Sequence, residues 1–294
     1  MMKQYEKVIH STRIDAHDDV ISKEELENMA AGMAGKCILI SYQHDPRHPP
    51  IGRIAATRLI ESEDGEYDLL GTLEIWESDD NMGGFDKSDL RIQKDIDDYK
   101  PTLLYDRSFL NPEDKQLISE ITAMGFESDQ IIKKALEPLS SIVIYGVAIY
   151  LLKRAADGFV DGFSKQLGQD TAVKLEKAIK DLLKRRKDGT RLIVLKVPII
   201  EGGSVREIQL ILENTSDIEY FFNHDLDYLS KMILEVVRSE PETVEIVIKW
   251  KGRKPNILYT IRNNGIPSAI EPISENELDS MSLSIEGSAQ RIKY

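Results

Sequence analysis

The sequence predicts an α+β protein with an antiparallel, β-rich N-terminal domain, an apolar helical connector and a C-terminal α+β unit of sandwich type. Three observations predict it. Short apolar runs, Cys37 to Ile40, Ile54 to Ile60 and Tyr67 to Leu73, are separated by turn residues across the first third. A nearly unbroken apolar stretch runs from Leu139 to Leu152 and stops at Lys153-Arg154. Beyond Leu192 the segments read strand, strand, helix, strand, strand. The predicted boundaries are 1–112 for the first domain, 113–190 for the connector, 191–270 for the small α+β domain and 271–294 for a tail without structure.

The N-terminal part opens with Arg13-Ile14-Asp15-Ala16-His17-Asp18-Asp19-Val20-Ile21-Ser22, followed by a helix-like Lys23 to Met33. A buried-type strand then leads into His44-Asp45-Pro46-Arg47-His48-Pro49-Pro50-Ile51-Gly52-Arg53. Histidine is the usual general base near neutral pH, and a proline turn at a strand end would hold an imidazole in place. A histidine beside an aspartate in a turn is just as readily a hydrogen-bonded loop residue. Spacing alone does not choose.

In their order, these pieces resemble the prohead maturation proteases of tailed phages, which are assemblin-like serine peptidases. The segments that carry the resemblance are Asp15 to Ile21, the Ile38-Leu39-Ile40 strand, His44-Asp45, Pro50-Ile51-Gly52-Arg53 and Tyr67-Asp68-Leu69-Leu70-Gly71-Thr72-Leu73. It covers roughly residues 8 to 110. It implies a peptidase-like first domain with His44 as general base and a serine on a later strand as nucleophile. Ser108, within Thr102 to Leu110, is the candidate, because a serine hydroxyl needs an adjacent base to attack at neutral pH. Asp45 and Asp106 are both candidates to orient the imidazole. The chain departs from the family pattern here, with Asp106-Arg107 in place of small or apolar residues and no glycine after Ser108.

Composition narrows the remaining classes. The 294 residues, 41% of them hydrophobic, suffice for two cores. Cys37 is the single cysteine, so no intrachain disulfide can form, as suits a reducing compartment. The opening residues lack an apolar signal core, and the expectation is a cytoplasmic protein. No zinc-type Cys/His spacing, phosphate-binding Gly-Lys loop or dinucleotide glycine fingerprint occurs, so no cofactor and no metal are expected. Residues 1–140 carry 16 Lys+Arg against 29 Asp+Glu, the whole net charge of −13, while 141–294 balance at 22 against 22. An acidic first half disfavours nucleic acid and suits basic peptides, although solubility alone also explains it.

Glu113 to Glu137 reads as helical. The stretch 139–152 reads as a helix that must be covered, by core, by a homo-oligomer seam or by lipid; its length falls short of the roughly 20 residues that span a bilayer. A basic amphipathic helix, 170–187, follows with Asp170 as N-cap and Val173, Leu175, Ile179, Leu182 and Leu183 on its apolar face. Its lysines complement the helix dipole or, alternatively, rest on anionic lipid, so membrane contact through 139–187 stays open. In the last domain, strands 192–200 and 205–212, a helix 216–238 and a hairpin of 244–250 with 257–262 predict a small antiparallel sheet with a helix on one face. His224 reads as structural.

Two functions from different classes follow. One is a serine endopeptidase acting on a protein or peptide substrate. The other is a non-catalytic sensor or scaffold of peptidase-like fold, whose apolar helix mediates oligomerisation or membrane attachment, with antiphage defence as a setting such a protein would suit.

Overall fold

The computed structural model describes residues 2–13, 20–41, 45–76, 90–92, 94, 101–105, 111–130, 141–145, 169–184, 192–201, 204–223, 227–251, 254–269 and 284–285. The fold is mixed α+β, with one antiparallel and one mixed sheet and five helices among those residues. Contacts divide the chain into two units. One comprises Met1–Gln93 and Asn263–Ser288, and the other comprises Lys94–Lys133 and Glu137–Arg262. The first unit is therefore discontinuous in sequence.

In the first unit, β1 (Met2–Ser11), β2 (Ile38–Ser41), β3 (Gly52–Glu61), β4 (Tyr67–Trp76) and β12 (Ser284–Ile285) form an antiparallel sheet in the order β1-β4-β3-β2-β12. Strands β3 and β4 are joined by a tight turn in which Ser62 N–H donates to Glu66 O and Gly65 takes a left-handed φ of 82°. Helix α1 (Lys23–Met33) starts where the Ser22 hydroxyl accepts from Glu25 N–H and the Glu25 carboxylate accepts from Ser22 N–H, a reciprocal capping box. Leu26, Met29 and Met33 recur at helical spacing, and all three are buried against Ile9, Ile40, Ile54, Leu69 and Leu73 of the sheet. Complete burial of Leu26 alone contributes roughly 2 kcal/mol.

The opposite sheet face is closed by the chain returning after β11. There Arg53 is 1% exposed; its Nε donates to Glu74 Oε2 at 2.8 Å and its Nη1 to the Asn264 carbonyl at 2.8 Å. Gly265, at φ 88°, passes so close that a Cβ would stand 2.7 Å from Cys37 Sγ. Residues after 270 were expected to lack structure; Ser284–Ile285 instead pairs with Ser41–Ile40, and the rest of that tail lies outside the described residues.

The second unit is a seven-stranded sheet in the order β11-β10-β9-β8-β7-β5-β6, built from β5 (Thr102–Tyr105), β6 (Glu127–Gln130), β7 (Ser141–Tyr145), β8 (Leu192–Glu201), β9 (Ser204–Leu212), β10 (Thr243–Lys251) and β11 (Lys254–Arg262). Its connections obey one rule. Parallel neighbours need a crossover, and β5/β6, β7/β8 and β9/β10 are separated by α2 (Pro112–Thr122), by α3 (Gln169–Lys184) and by α4 (Thr215–Asn223) with α5 (Asp227–Ser239), respectively. The antiparallel neighbours β8/β9 and β10/β11 follow each other directly. Alternate strand residues, among them Leu103, Ile144, Leu195, Ile208 and Ile246, meet the apolar faces of these helices in one core. Trp250 packs edge-on against Phe221 there, with ring centroids 5.7 Å apart.

Four expectations are corrected. The apolar helix predicted over 139–152 is, where described, a strand over Ser141–Tyr145 flanked by β5 and β8, and 139–140 and 146–152 lie outside the described residues; an unbroken apolar run fits an interior strand as well as a buried helix. The connector predicted as helical over 113–137 ends its helix at Thr122. Gly125, at φ 96°, terminates it and Glu127–Gln130 becomes a strand. The single helix 216–238 is two helices, ending at Asn223 and restarting at Asp227. The last sheet is mixed, because β9 and β10 run parallel. The basic amphipathic helix exists as α3, and its Leu175, Ile179, Leu182 and Leu183 are buried in the core of its own unit. Among the described residues no helix is long and apolar enough to cross a membrane.

Gly265→Ala is expected to destabilise the first unit by about 1–3 kcal/mol in urea denaturation, through the left-handed backbone and the collision with Cys37 and Leu39. Gly35→Ala, also at positive φ but with open space around it, is expected to cost less.

Candidate functional site

The motif from 44 to 53 is the natural place to look for chemistry, and its described residues form a tightly bonded turn. The chain leaves β2 and turns through Asp45, where His48 N–H donates to the Asp45 carbonyl at 3.2 Å. Pro46, Pro49 and Pro50 are buried, which stiffens the turn by fixing φ at three positions. Ile51 re-enters the sheet, donating to Ile40 O and accepting from Trp76 N–H.

Asp45 is engaged by its own turn. Arg47 Nε donates to both carboxylate oxygens, at 2.8 and 2.9 Å, and Arg47 N–H donates to Oδ1 at 2.9 Å. His48 Nε2 stands 3.9 Å from Oδ2. Burial alone would raise the Asp45 carboxyl, but the Arg47 side chain, its backbone N–H and the neighbouring positive charge outweigh that and hold it below the ordinary carboxylate range. The carboxylate therefore stays ionised with its oxygens already turned to a guanidinium.

Gly52 and Arg53 complete the motif, and both have structural duties. A Cβ at Gly52 would lie 2.3 Å from the Glu74 carbonyl oxygen, so close strand packing admits only glycine there. Arg53 is the buried guanidinium that ties β3 to β4 and to the returning chain. Cys37 lies on the same side, with its thiol directed at the Asn264 carbonyl at 3.7 Å. Burial pushes that thiol up despite the Arg53 charge, so it stays protonated at neutral pH and is not a ready nucleophile.

His44 and Ser108, the predicted base and nucleophile, lie outside the described residues, as do Asp106 and His224. Of the three residues expected to carry catalysis, Asp45 alone is described, and it is directed at Arg47. Tyr105, three residues before Ser108, ends β5 in the second unit's sheet.

A second cluster of ionisable groups escaped the sequence reading. On the sheet face opposite the helices, Glu207 and Glu245 are directly paired across β9 and β10, each 3% exposed. Lys94 Nζ reaches both, at 3.4 and 3.0 Å; Lys196 Nζ reaches Glu207 at 3.3 Å, and the Gln209 amide donates to both carboxylates. Two carboxylates side by side are tolerated at this depth because two ammonium groups and an amide compensate them. The alternation Glu207, Ile208, Gln209, Leu210 was the available signal: one strand carried polar side chains on one face and apolar ones on the other. Among the described residues no group of His, Cys, Asp and Glu could hold a metal ion.

Two outcomes test this account. Arg53→Ala leaves Glu74 buried and unpaired and is expected to cost about 3–5 kcal/mol in urea denaturation, whereas Arg53→Met combined with Glu74→Leu recovers most of the loss. Asp45 has a depressed native pKa. Its stabilisation is thus complete above the unfolded value near 3.8 and disappears as the pH falls through the lower native value. Asp45→Asn is expected to cost about 1 kcal/mol at pH 7, discounted because Arg47 is a third exposed, and nothing once the pH is below both values. No protein-family model, curated protein or solved structure matches the chain.

Proposed function

We propose that the chain is a non-catalytic protein of peptidase-like organisation that senses or scaffolds other proteins. The observation that carries this reading is the engagement of Asp45. A general-base histidine works best when a carboxylate orients its ring and stabilises the imidazolium; of the two candidate carboxylates, Asp45 is turned to Arg47 instead, and Asp106 lies outside the described residues. Gly52 and Arg53 of the same motif are accounted for by strand packing and by a buried ion pair. What remains of the motif is a rigid turn that holds a sheet together. Within the apolar stretch 139–152, Ser141–Tyr145 pairs with β5 and β8 as an interior strand, which supports recognition through the surface of the sheets; 146–152 lie outside the described residues.

The test is labelling of the full chain with a fluorophosphonate serine probe, alongside Ser108→Ala and His44→Ala. No serine-dependent labelling of the wild type is expected. Labelling that both substitutions abolish would establish a working nucleophile and base, and with them a peptidase.

A further inference from the structure

Strand β2 has β3 on one side, and on the other it meets Ser284–Ile285, the chain's own β12 at the edge of the sheet. Ile51 N–H donates to Ile40 O, so the backbone groups of Ile40 face β3, and alternation points those of Leu39 and Ser41 outward. Ser284 stands opposite Ser41 and exchanges main-chain bonds with it, while Ile285 stands opposite Ile40. The contact thus rests on one pair of main-chain bonds. Ile38 and Leu39 pair with no described strand on that side. The chain's own segment occupies two positions of a four-residue edge.

We propose that the outer edge of β2 is a strand-addition site for an extended segment of a partner protein, and that Ser284–Ile285 is a competitor built into the chain. The occupant already seated there defines the chemistry the edge takes. It belongs to Met281-Ser282-Leu283-Ser284-Ile285, in which apolar residues alternate with serine, and its register sets serine opposite Ser41 and isoleucine opposite Ile40. Strand β2 calls for the same alternation. Ile38 and Ile40 belong to the core under α1, and Ile40 is fully buried, so the positions opposite them share an apolar face. Leu39 and Ser41 are buried too, and a charged residue opposite either would be stripped of water. The partner segment is therefore uncharged, with aliphatic and small polar residues in alternation. A segment that pairs with all four residues of β2 bonds to Leu39 as well as Ser41, doubling the bonds that Ser284–Ile285 makes, and so displaces it. The edge is preformed, held from behind by β3 and continued by the proline-stiffened turn, so little ordering is needed on this side. The proposal rests on the reading of the chain as a protein-binding module, yet its test is independent of serine reactivity.

The probe is the hexapeptide Ser-Leu-Ser-Ile-Ser-Val, fluorescently labelled at its N-terminus and amidated, titrated against the full chain. With its serines opposite Ser41 and Leu39, the serine amides face β2 and the aliphatic amides face away. N-methylation of the two internal serine amides is expected to weaken binding about tenfold or more, while N-methylation of the leucine and isoleucine amides leaves it nearly unchanged. A counterpart with lysine for each aliphatic residue is expected not to bind. Ser284→Pro, which removes the N–H given to Ser41, weakens the competitor and raises affinity about threefold to tenfold. At saturating peptide, amide exchange slows at Leu39 and quickens at Ser284. The methylated peptides on wild type make the result independent of how the variant folds. Equal affinity for both methylated peptides, absence of binding at millimolar peptide, unchanged affinity of Ser284→Pro, or exchange at Leu39 and Ser284 that ignores bound peptide would overturn the proposal. So would protection of Leu39 that rises with protein concentration in the absence of peptide, in favour of a second copy. Serine labelling with intact peptide binding would overturn the non-catalytic reading alone.

Discussion

A guanidinium at 1% exposure organises the first unit. Moving such a charge out of water costs several kcal/mol unless its donors find acceptors, and Arg53 finds them in Glu74 on the next strand and in the backbone of Asn264 more than two hundred residues later. One side chain thereby ties the middle of the sheet to the chain's return. Gly265 must then pass over Cys37 and Leu39 without a side chain, and the Asn264 side chain turns back to accept from Ile266 N–H. The discontinuity of the unit follows from that requirement, because the acceptor that Arg53 needs is supplied only after the whole second unit has been traversed.

The second unit is governed by a different constraint. A sheet that alternates parallel and antiparallel pairs must insert a crossover at each parallel step, and those helices pack on one face in a common core. The other face carries Glu207, Gln209 and Glu245, which are buried as well, and it stays viable because Lys94 and Lys196 bring compensating charge. Polar groups at this depth stabilise the fold little in net terms, but removing either member of a pair would leave a charge unmatched. That makes the cluster a specification of register between β9 and β10 more than a source of stability.

Between these two frameworks, the motif that looks most like chemistry illustrates how a functional signature and a structural one can share residues. A proline-stiffened turn, an aspartate, a glycine and an arginine are what a positioned imidazole would use. They are also what a strand-to-strand connection uses when a backbone passes 2.3 Å from where a Cβ would sit and when an acid must be satisfied inside its own turn. Asp45 has satisfied itself locally, and Arg53 has satisfied itself at long range.

The sequence by itself determined the class of fold and much of its local structure. The Ser22–Glu25 capping box, the heptad-like burial of Leu26, Met29 and Met33, the hairpins β8–β9 and β10–β11 and the amphipathic α3 are local patterns, each written within a dozen or so residues. Only the tertiary structure decided whether Ser141–Tyr145 was helix or strand, because an unbroken apolar run carries no periodicity that tells the two apart. It likewise decided that β9 and β10 run parallel, that Asp45 answers to Arg47, and that the chain after Arg262 returns to the first sheet. Those outcomes depend on partners far apart in the chain or on a choice among neighbours within one turn, and hydrophobic pattern encodes neither. Residue types and spacing nominate a site; which atoms a carboxylate or guanidinium meets is settled by packing.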